Sequence, residues 1–243
     1  MRRYAWIPLL ALLLLAWEAW VRLRGIPDYL LPAPSAIAQA LWDGRSDLAS
    51  QALVTLREMV LGLLAAVAFG LASAMAIRRV DWLRAAVYPL LIASQSVPIV
   101  SLSPLLLIYL GFGLTPHVVI VALVCFFPVT ANALSGFDRT PADLRRMMRT
   151  LNASPRAIFW RIELPWALPQ IFTGVRIGTA YAAIGAVFSE YAGGSGGLAD
   201  SMREQLDTPL VGAAITLLAA LSLALVGLVM LLERLAVPWA NEE

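Results

Sequence analysis

Long apolar segments alternate with short polar ones along the chain, and this pattern predicts helices that cross a membrane. Such a helix needs about 20 mostly apolar residues to cross about 30 Å of hydrocarbon. Residues 85–137 contain no Asp, Glu or Arg. This run is too long for one span, and its turn-forming cluster at 111–116 divides it into two. The predicted spans are six: 4–21, 59–77, two within 85–137, 169–191 and 208–232.

The composition agrees with a membrane protein and excludes several enzyme classes. Apolar residues make up 60% of the 243 and charged residues 14%, whereas soluble domains have roughly 25% charged residues. All basic residues are Arg, so the chain has no lysine for a phosphate-binding loop or a Schiff base. One His and one Cys argue against a zinc site, and no soluble domain presents a basic face to nucleic acid. We therefore expect an all-α, polytopic membrane protein whose 243 residues form one domain.

The Arg residues predict the orientation of the spans, because cytoplasmic loops are rich in basic residues. With the N-terminus inside, twelve Arg lie on the inner side and five on the outer side, while Arg176 lies within its helix. Both termini are therefore predicted to be cytoplasmic. The first span has the basic start of a signal peptide, but the sequence AWEAW at 16–20 lacks a small-x-small cleavage site. An uncleaved anchor is expected.

Two loops between the spans are long. In the outer loop, residues 22–50, Ser35 is predicted to cap a short amphipathic helix at 36–42. The inner loop, residues 138–168, contains six Arg and reads as two short helices joined by a turn. Asn152 favours the left-handed conformation that ends the first helix, and Ser154 is predicted to cap the second, which would end at the proline-containing run 164–169.

One face of the first loop helix is apolar. Its stripe has helical spacing and consists of Leu144, Met147, Met148 and Leu151. A stripe of this kind, flanked by Arg, is typical both of a helix lying on anionic lipid and of a helix that docks in a groove of another protein. The pattern alone leaves these two interpretations open.

The inner loop resembles the signature loop of ABC-importer permeases, which reads E-A-A, three residues, G, and then a spaced I-x-L-P. The matching residues are Leu151-Asn152-Ala153-Ser154, Phe159, Glu163-Leu164-Pro165, Leu168-Pro169 and Gly174. The resemblance extends over about residues 28–238. It points to the branch that carries sulfonates, taurine, nitrate and thiamine-precursor pyrimidines, and among these most to the pyrimidine permeases. The chain departs from the family where Arg146-Met147-Met148 replaces Glu-Ala-Ala and where Asn152 replaces Gly.

The resemblance implies a type I ABC importer fold and a division of labour between subunits. Two copies of this chain would form the path through the inner membrane, in contact with membrane lipid, and would perform no catalysis. Cytosolic ABC ATPase subunits would bind ATP-Mg, so this chain would hold no cofactor, and an external solute-binding protein would deliver the solute. The residues expected to dock the ATPase are Leu144, Arg146, Met147, Met148, Leu151, Asn152, Ala153 and Ser154.

Several polar residues in the predicted spans have two possible roles. Glu190 either lines the transport pathway or is exposed at the membrane surface. Gln95 and Ser96 either face a cavity or form hydrogen bonds between helices. The neighbouring Arg57 and Glu58 are expected to form the solvated outer end of the second span.

Two other classes of function compete with the permease. The segment 193–197 (GGSGG) satisfies the patterns of serine hydrolases, and His117 is predicted to lie on the same side of the membrane. An intramembrane hydrolase using Ser195 and His117 is therefore a distant alternative. The other competing hypothesis is a scaffold on the membrane surface that has no role in transport.

Overall fold

The computed structural model describes residues 6–80, 82, 86, 87, 89, 90, 93, 98–204 and 207–241. Its described part is helical and contains no strand, in agreement with the all-α prediction. The helices are α1 (Trp6–Arg24), α2 (Pro34–Asp43), α3 (Arg45–Ile77), α4 (Ile99–Leu110), α5 (Leu114–Asp138), α6 (Ala142–Thr150), α7 (Pro155–Ile158), α8 (Leu164–Gly193), α9 (Leu198–Glu204) and α10 (Thr208–Ala236). A π-helical turn, Phe159–Glu163, joins α7 to α8, and a 3₁₀ turn, Pro238–Asn241, follows α10.

Four helical segments in the described part are long and apolar enough to cross a membrane. They are α3, α5, the continuous segment Pro155–Gly193 that contains α7 and α8, and α10. These segments correspond to the predicted second, fourth, fifth and sixth spans. The described residues of the predicted first span lie in α1, and those of the third lie partly in α4. The count of six spans and the side of the termini stay predictions.

The predicted turn between the third and fourth spans is confirmed. Helix α4 ends at Leu110 and α5 begins at Leu114. Between them, Gly111 and Gly113 have φ angles of 77° and 118°, which favour glycine because it has no Cβ.

Helix α3 begins at Arg45, well before the predicted start of its span at residue 59. Because the helix is longer than its apolar part, Arg57 and Glu58 lie within it. Arg57 is exposed, but Glu58 is buried, so the prediction that Glu58 lies at a solvated helix end is wrong.

The short helix of the predicted outer loop is present as α2, but the prediction that Ser35 caps it is wrong. Ala33 is the N-cap residue and Pro34 is the first helical residue, a position that suits a residue without an N–H. Ser35 instead contacts α1. Its backbone N–H and its hydroxyl donate to the carboxylate of Glu18, at 3.0 and 2.8 Å.

The prediction that the run 164–169 ends a helix is also wrong. The chain passes without a break from α7 through the π turn into α8, and Pro165 lies in the first turn of α8. A proline normally clashes with the carbonyl four residues earlier, but a π turn is wider than an α turn. The π turn immediately before Pro165 therefore lets one continuous helix form.

Helices α3, α5 and α8 form the centre of the bundle, with α10 packed against α8. Small residues allow the close approach: a Cβ on Gly62 of α3 would lie 2.4 Å from the Val121 side chain of α5. A Cβ on Gly174 of α8 would lie 2.8 Å from the Pro128 carbonyl oxygen of α5. The buried cluster between these helices comprises Met59, Leu63, Ala66, Val121, Cys125, Ala182, Ala186 and Leu225.

Candidate functional site

The predicted apolar stripe of the inner loop lies on helix α6 and on its C-cap residue Leu151, at one end of the bundle that we call the loop end. The side chains of Met147 and Leu151 are 51% and 69% exposed. Leu144 and Met148, on the same stripe, are half-buried against the rest of the chain. The described residues therefore leave the outer part of this apolar face uncovered, as a docking helix requires.

The C-terminus of α6 is held in one conformation by Asn152, as predicted. Asn152 has a φ of 54°, the left-handed conformation that ends many helices. Its N–H donates to the Arg149 carbonyl at 3.0 Å, and the N–H of Ala153 donates to the Met148 carbonyl at 3.0 Å. This pair of bonds is the Schellman motif, so Asn152 here takes the place of a helix-ending glycine.

The next helix begins at the predicted cap. The hydroxyl of Ser154 accepts a hydrogen bond from the N–H of Ala157 at 3.2 Å, and Pro155 is the first residue of α7. Both predictions are confirmed. Because the two caps adjoin, the angle between α6 and α7 is set by their capping hydrogen bonds rather than by a flexible linker.

Arg146, which stands in the family's Glu-Ala-Ala positions, is exposed on α6. Its guanidinium lies 3.6 Å from the Asp143 carboxylate, and both side chains are more than three-quarters exposed. Such a surface ion pair contributes little to stability. The charge of Arg146 is therefore available to a partner.

Glu163 connects the loop to the membrane-spanning bundle, a role that its place in the family motif does not predict. Its carboxylate accepts a hydrogen bond from Arg78, which follows α3, and lies 3.8 Å from Arg145 of α6. The Arg78 guanidinium also lies over the rings of Phe137 and Phe159, at 4.6 and 5.2 Å. One buried carboxylate thus joins α3, α6 and the π turn.

At the opposite end of the bundle, the carboxylate of Glu190 holds the start of α9. It accepts from the Thr55 hydroxyl at 2.6 Å and from the N–H of Ala199 at 2.6 Å. The Thr55 oxygen in turn accepts from the N–H of Leu198 at 3.0 Å. A Cβ on Gly197 would lie 2.3 Å from the Glu190 carboxyl carbon, so only glycine fits against it.

Glu58 and His117 meet near this site. Both are buried, and His117 Nδ1 lies 3.9 Å from Glu58 Oε1. No polar atom of either side chain has a hydrogen-bond partner in the described part of the chain, and neither does the buried Ser195 hydroxyl. This is a second group of polar side chains inside the bundle, and the position of Glu58 within it was not predicted.

The predicted site residues have different outcomes. Glu190 is fully buried, so its predicted alternative role as an exposed residue is wrong, and its role in the pathway stays a prediction. Gln95 and Ser96 lie outside the described residues. Among the described residues, no group of three or more His, Cys, Asp or Glu is arranged to hold a metal ion.

The geometry does not support the hydrolase alternative. A serine nucleophile needs a base within hydrogen-bond reach. Neither the Ser195 hydroxyl nor a nitrogen of His117 has a hydrogen-bond partner among the described residues. The two residues therefore do not form a nucleophile and base pair.

Comparisons with known proteins point to one family. The family model of the inner membrane component of binding-protein-dependent transport systems matches residues 60–238. The riboflavin transport system permease protein RibX of Chloroflexus aurantiacus is 36% identical, over 98% of this chain and 93% of its own length. The formylaminopyrimidine transport permease protein ThiX of Halalkalibacterium halodurans is 32% identical over 96% and 94%. A probable ABC transporter permease protein of Haemophilus influenzae is 34% identical over 89% and 90%.

Proposed function

The chain belongs to the inner membrane components of binding-protein-dependent transport systems, and from this premise we propose that α6 is its docking element for a cytosolic ABC ATPase. The chain is a multi-pass permease subunit of an ABC importer, and ATP hydrolysis takes place in a separate subunit. The relatives described above are named as transport permeases, so a catalytic role for Ser195 and His117 is not retained.

The observation that carries the docking proposal is the uncovered apolar face of α6 on a rigid support. Met147 and Leu151 are exposed, while the two caps at Asn152 and Ser154 fix the helix relative to α7. An exposed apolar side chain on an ordered helix is typical of a helix that inserts into a groove. Leu144, Met148 and Ala153 would complete the contact surface, and Arg146 would meet acidic groups of the partner.

The docking proposal predicts that Leu151→Arg separates the ATPase from the permease. Burying an unpaired charge in an interface is costly, so we expect about a tenfold or greater drop in recovered ATPase. The tagged chain would be purified from detergent-solubilised native membranes and the co-purifying ATPase measured. Ala142→Arg is the matched control, because Ala142 is exposed on the opposite face of the same helix and should retain the ATPase.

Two results would contradict docking through α6. One is equal ATPase recovery with wild type and Leu151→Arg. The other is the absence of any ATPase from the wild-type sample after mild crosslinking. Leu151 is exposed, so the variant should elute from size-exclusion chromatography like wild type, and a loss of ATPase then reports on the interface. If the chain only lay on the membrane surface as a scaffold, neither variant would change its partners.

The remaining parts of the proposed arrangement follow from the family and from the charge pattern. Six spans, with both termini and α6 in the cytoplasm, would agree with the concentration of Arg at the loop end. A second copy of the chain would complete the pathway, which Gln95, Ser96 and Glu190 are proposed to line. An external solute-binding protein would deliver the solute to the opposite end, and lipid would surround the spans.

We further propose that the solute is a thiamine-precursor pyrimidine, with a sulfonate, taurine or nitrate as the alternatives. The relative ThiX, named for formylaminopyrimidine, matches nearly the whole chain and supports the first choice. The relative RibX, named for riboflavin, also matches nearly the whole chain, and riboflavin is likewise a nitrogen-containing ring compound. Both solutes contain a pyrimidine-type ring.

The solute proposal predicts the ligand of the solute-binding protein that works with this chain. Isothermal titration of that purified binding protein should detect a hydroxymethylpyrimidine or formylaminopyrimidine, and no taurine or nitrate. Binding of riboflavin alone would reject the thiamine-precursor proposal while leaving the importer function unchanged. Uptake of the radiolabelled ligand by vesicles that contain the permease and the ATPase would then link the ligand to this chain.

A further inference from the structure

A groove at the loop end combines two arginines with apolar and aromatic walls. Its volume is about 700 Å³, within the range of small-molecule sites. Three separate parts of the chain meet there, because Arg139 follows α5, Arg161 lies in the π turn and Trp239 follows α10. None of the lining residues is acidic, so the groove is positively charged. The lining residues used below are Arg139, Arg161, Pro165, Trp166, Gln170 and Trp239.

The guanidinium of Arg139 is held in place at the groove. It donates to the Gln170 amide oxygen at 3.1 Å, and the Gln170 amide nitrogen donates to the Asn132 oxygen at 2.9 Å. The bond to Asn132 therefore orients the Gln170 amide, which in turn orients Arg139. Arg161 makes no side-chain hydrogen bond or ion pair with any residue that the structure describes. The donors of Arg161, and those of Arg139 not used by Gln170, are free to bind an anion.

The aromatic residues indicate the depth of this groove in the membrane. Trp166 and Trp239 are each 50% exposed. Tryptophan is enriched where hydrocarbon meets the headgroups, because its ring is amphipathic. The groove also lies where the apolar helices α5, α8 and α10 meet the polar loop. We therefore expect the groove to lie at the height of the lipid phosphates in the adjoining leaflet.

We propose that this groove binds the phosphate of an anionic phospholipid from the leaflet at the loop end. A guanidinium pairs with two oxygens of a phosphate in a planar, bidentate contact. Pro165 and the Trp166 ring provide apolar surface for the start of the lipid's acyl chains. A free phosphate ion has no acyl chain and would not use this surface. The inference goes beyond the transport role and requires only that the chain spans a membrane. Its failure would leave the docking proposal for α6 unaffected.

Native mass spectrometry of the purified full chain tests the lipid site. The protein would be exchanged into micelles with equal amounts of phosphatidylglycerol and phosphatidylcholine, and wild type should retain phosphatidylglycerol preferentially. Arg161→Gln should reduce the retained phosphatidylglycerol about fivefold, as expected for the loss of one basic group at an anionic surface. Arg156→Gln is the matched control, because Arg156 is exposed on α7 and lies outside the groove, and it should behave like wild type.

Each other outcome overturns the proposal. Equal phosphatidylglycerol retention by Arg161→Gln and wild type would show that the groove is not the lipid site, as would an equal loss in Arg156→Gln. Displacement of the lipid by added inorganic phosphate would show that the site recognises the free ion. If Arg161→Gln were not recovered as a folded protein, Arg139→Gln would replace it, with the same expected loss. Loss of the lipid on adding the ATPase would identify the groove as part of the subunit interface.

Discussion

Glu190 demonstrates how a carboxylate inside a helix bundle is stabilised by its own chain. Each of its oxygens accepts one short hydrogen bond, from the Thr55 hydroxyl and from the Ala199 N–H. These contacts fasten α9 to α3 and α8, and they leave the carboxylate fully buried. The nearby Glu58 and His117 have no such bonds among the described residues, although they are equally buried. These two buried glutamates of the bundle therefore differ: the Glu190 carboxylate is hydrogen-bonded, whereas that of Glu58 is not bonded by the described residues.

Removing the Thr55 hydroxyl should test this contact at the scale of one residue. Thr55→Val keeps the size of the side chain but leaves Glu190 Oε1 and the Leu198 N–H without their partner. An unsatisfied buried polar group costs about 1–3 kcal/mol, so we expect a clearly lower thermal unfolding midpoint in detergent. Thr216→Val is the control, because Thr216 is exposed and its hydroxyl bonds only to its own helix, at the Gly212 carbonyl. Equal midpoints for the two variants would contradict the role of Thr55.

At the scale of the element, the inner loop is a rigid unit that is connected both to the end of α3 and to α8. The Schellman motif and the Ser154 cap fix α6 against α7, and Glu163 ties α6 to the end of α3 through Arg145 and Arg78. The π turn then continues into α8 without a break. A displacement of α6 by a docked partner would therefore be transmitted to α3 and α8.

Glu163→Gln should weaken this connection without removing the docking face. The amide loses the charge that pairs with Arg78 and Arg145, in a site where a hydrogen bond to a charged group contributes about 1.5–3 kcal/mol. We expect ATPase co-purification close to wild type but several-fold slower solute uptake by proteoliposomes. Asp143→Asn is the control, because its ion pair with Arg146 is exposed and should contribute little. Wild-type uptake by Glu163→Gln would reject this coupling role.

At the scale of the whole molecule, the loop end and the opposite end of the bundle carry different chemistry. The loop end has the exposed apolar face of α6, the Glu163 contacts and the positively charged groove. The opposite end has the buried contacts of Glu190 and the short helix α9. This asymmetry fits a subunit that meets an ATPase on one side and a solute-binding protein on the other.

Cysteine accessibility should show which end faces the cytoplasm. The chain has one Cys, Cys125, which is buried and should not react with a membrane-impermeant maleimide in intact cells. Asp28→Cys, exposed before α2, should be labelled from outside. Asp143→Cys, exposed on α6, should be labelled only after the membrane is opened. The reverse labelling would invert the proposed orientation, and wild type provides the unlabelled control.

The apolar pattern of the sequence was sufficient to predict a helical membrane protein, because crossing hydrocarbon requires long uncharged helices. Local backbone preferences likewise predicted the turn after Leu110, the left-handed Asn152 and the Ser154 cap, since each depends on a few neighbouring residues. The family motif was recognisable from residue order alone. The turn, the left-handed residue and the cap were predictable because each is determined by the backbone preferences of adjacent residues.

Other features depended on contacts between residues far apart in the sequence. Glu58 looked like a solvated helix end because it adjoins Arg57, yet the extension of α3 to Arg45 places it inside the bundle. The sequence signal for its burial is the helical spacing of Leu48, Ala52 and Thr55, which form the buried face of α3 before Glu58. The Ser35 hydroxyl bonds to Glu18 of α1 and does not cap its own helix. Glu163 pairs with Arg78, which lies 85 positions earlier in the chain. Periodicity and composition predict which segments are helical, whereas the partners of buried charged groups are decided by how those helices pack.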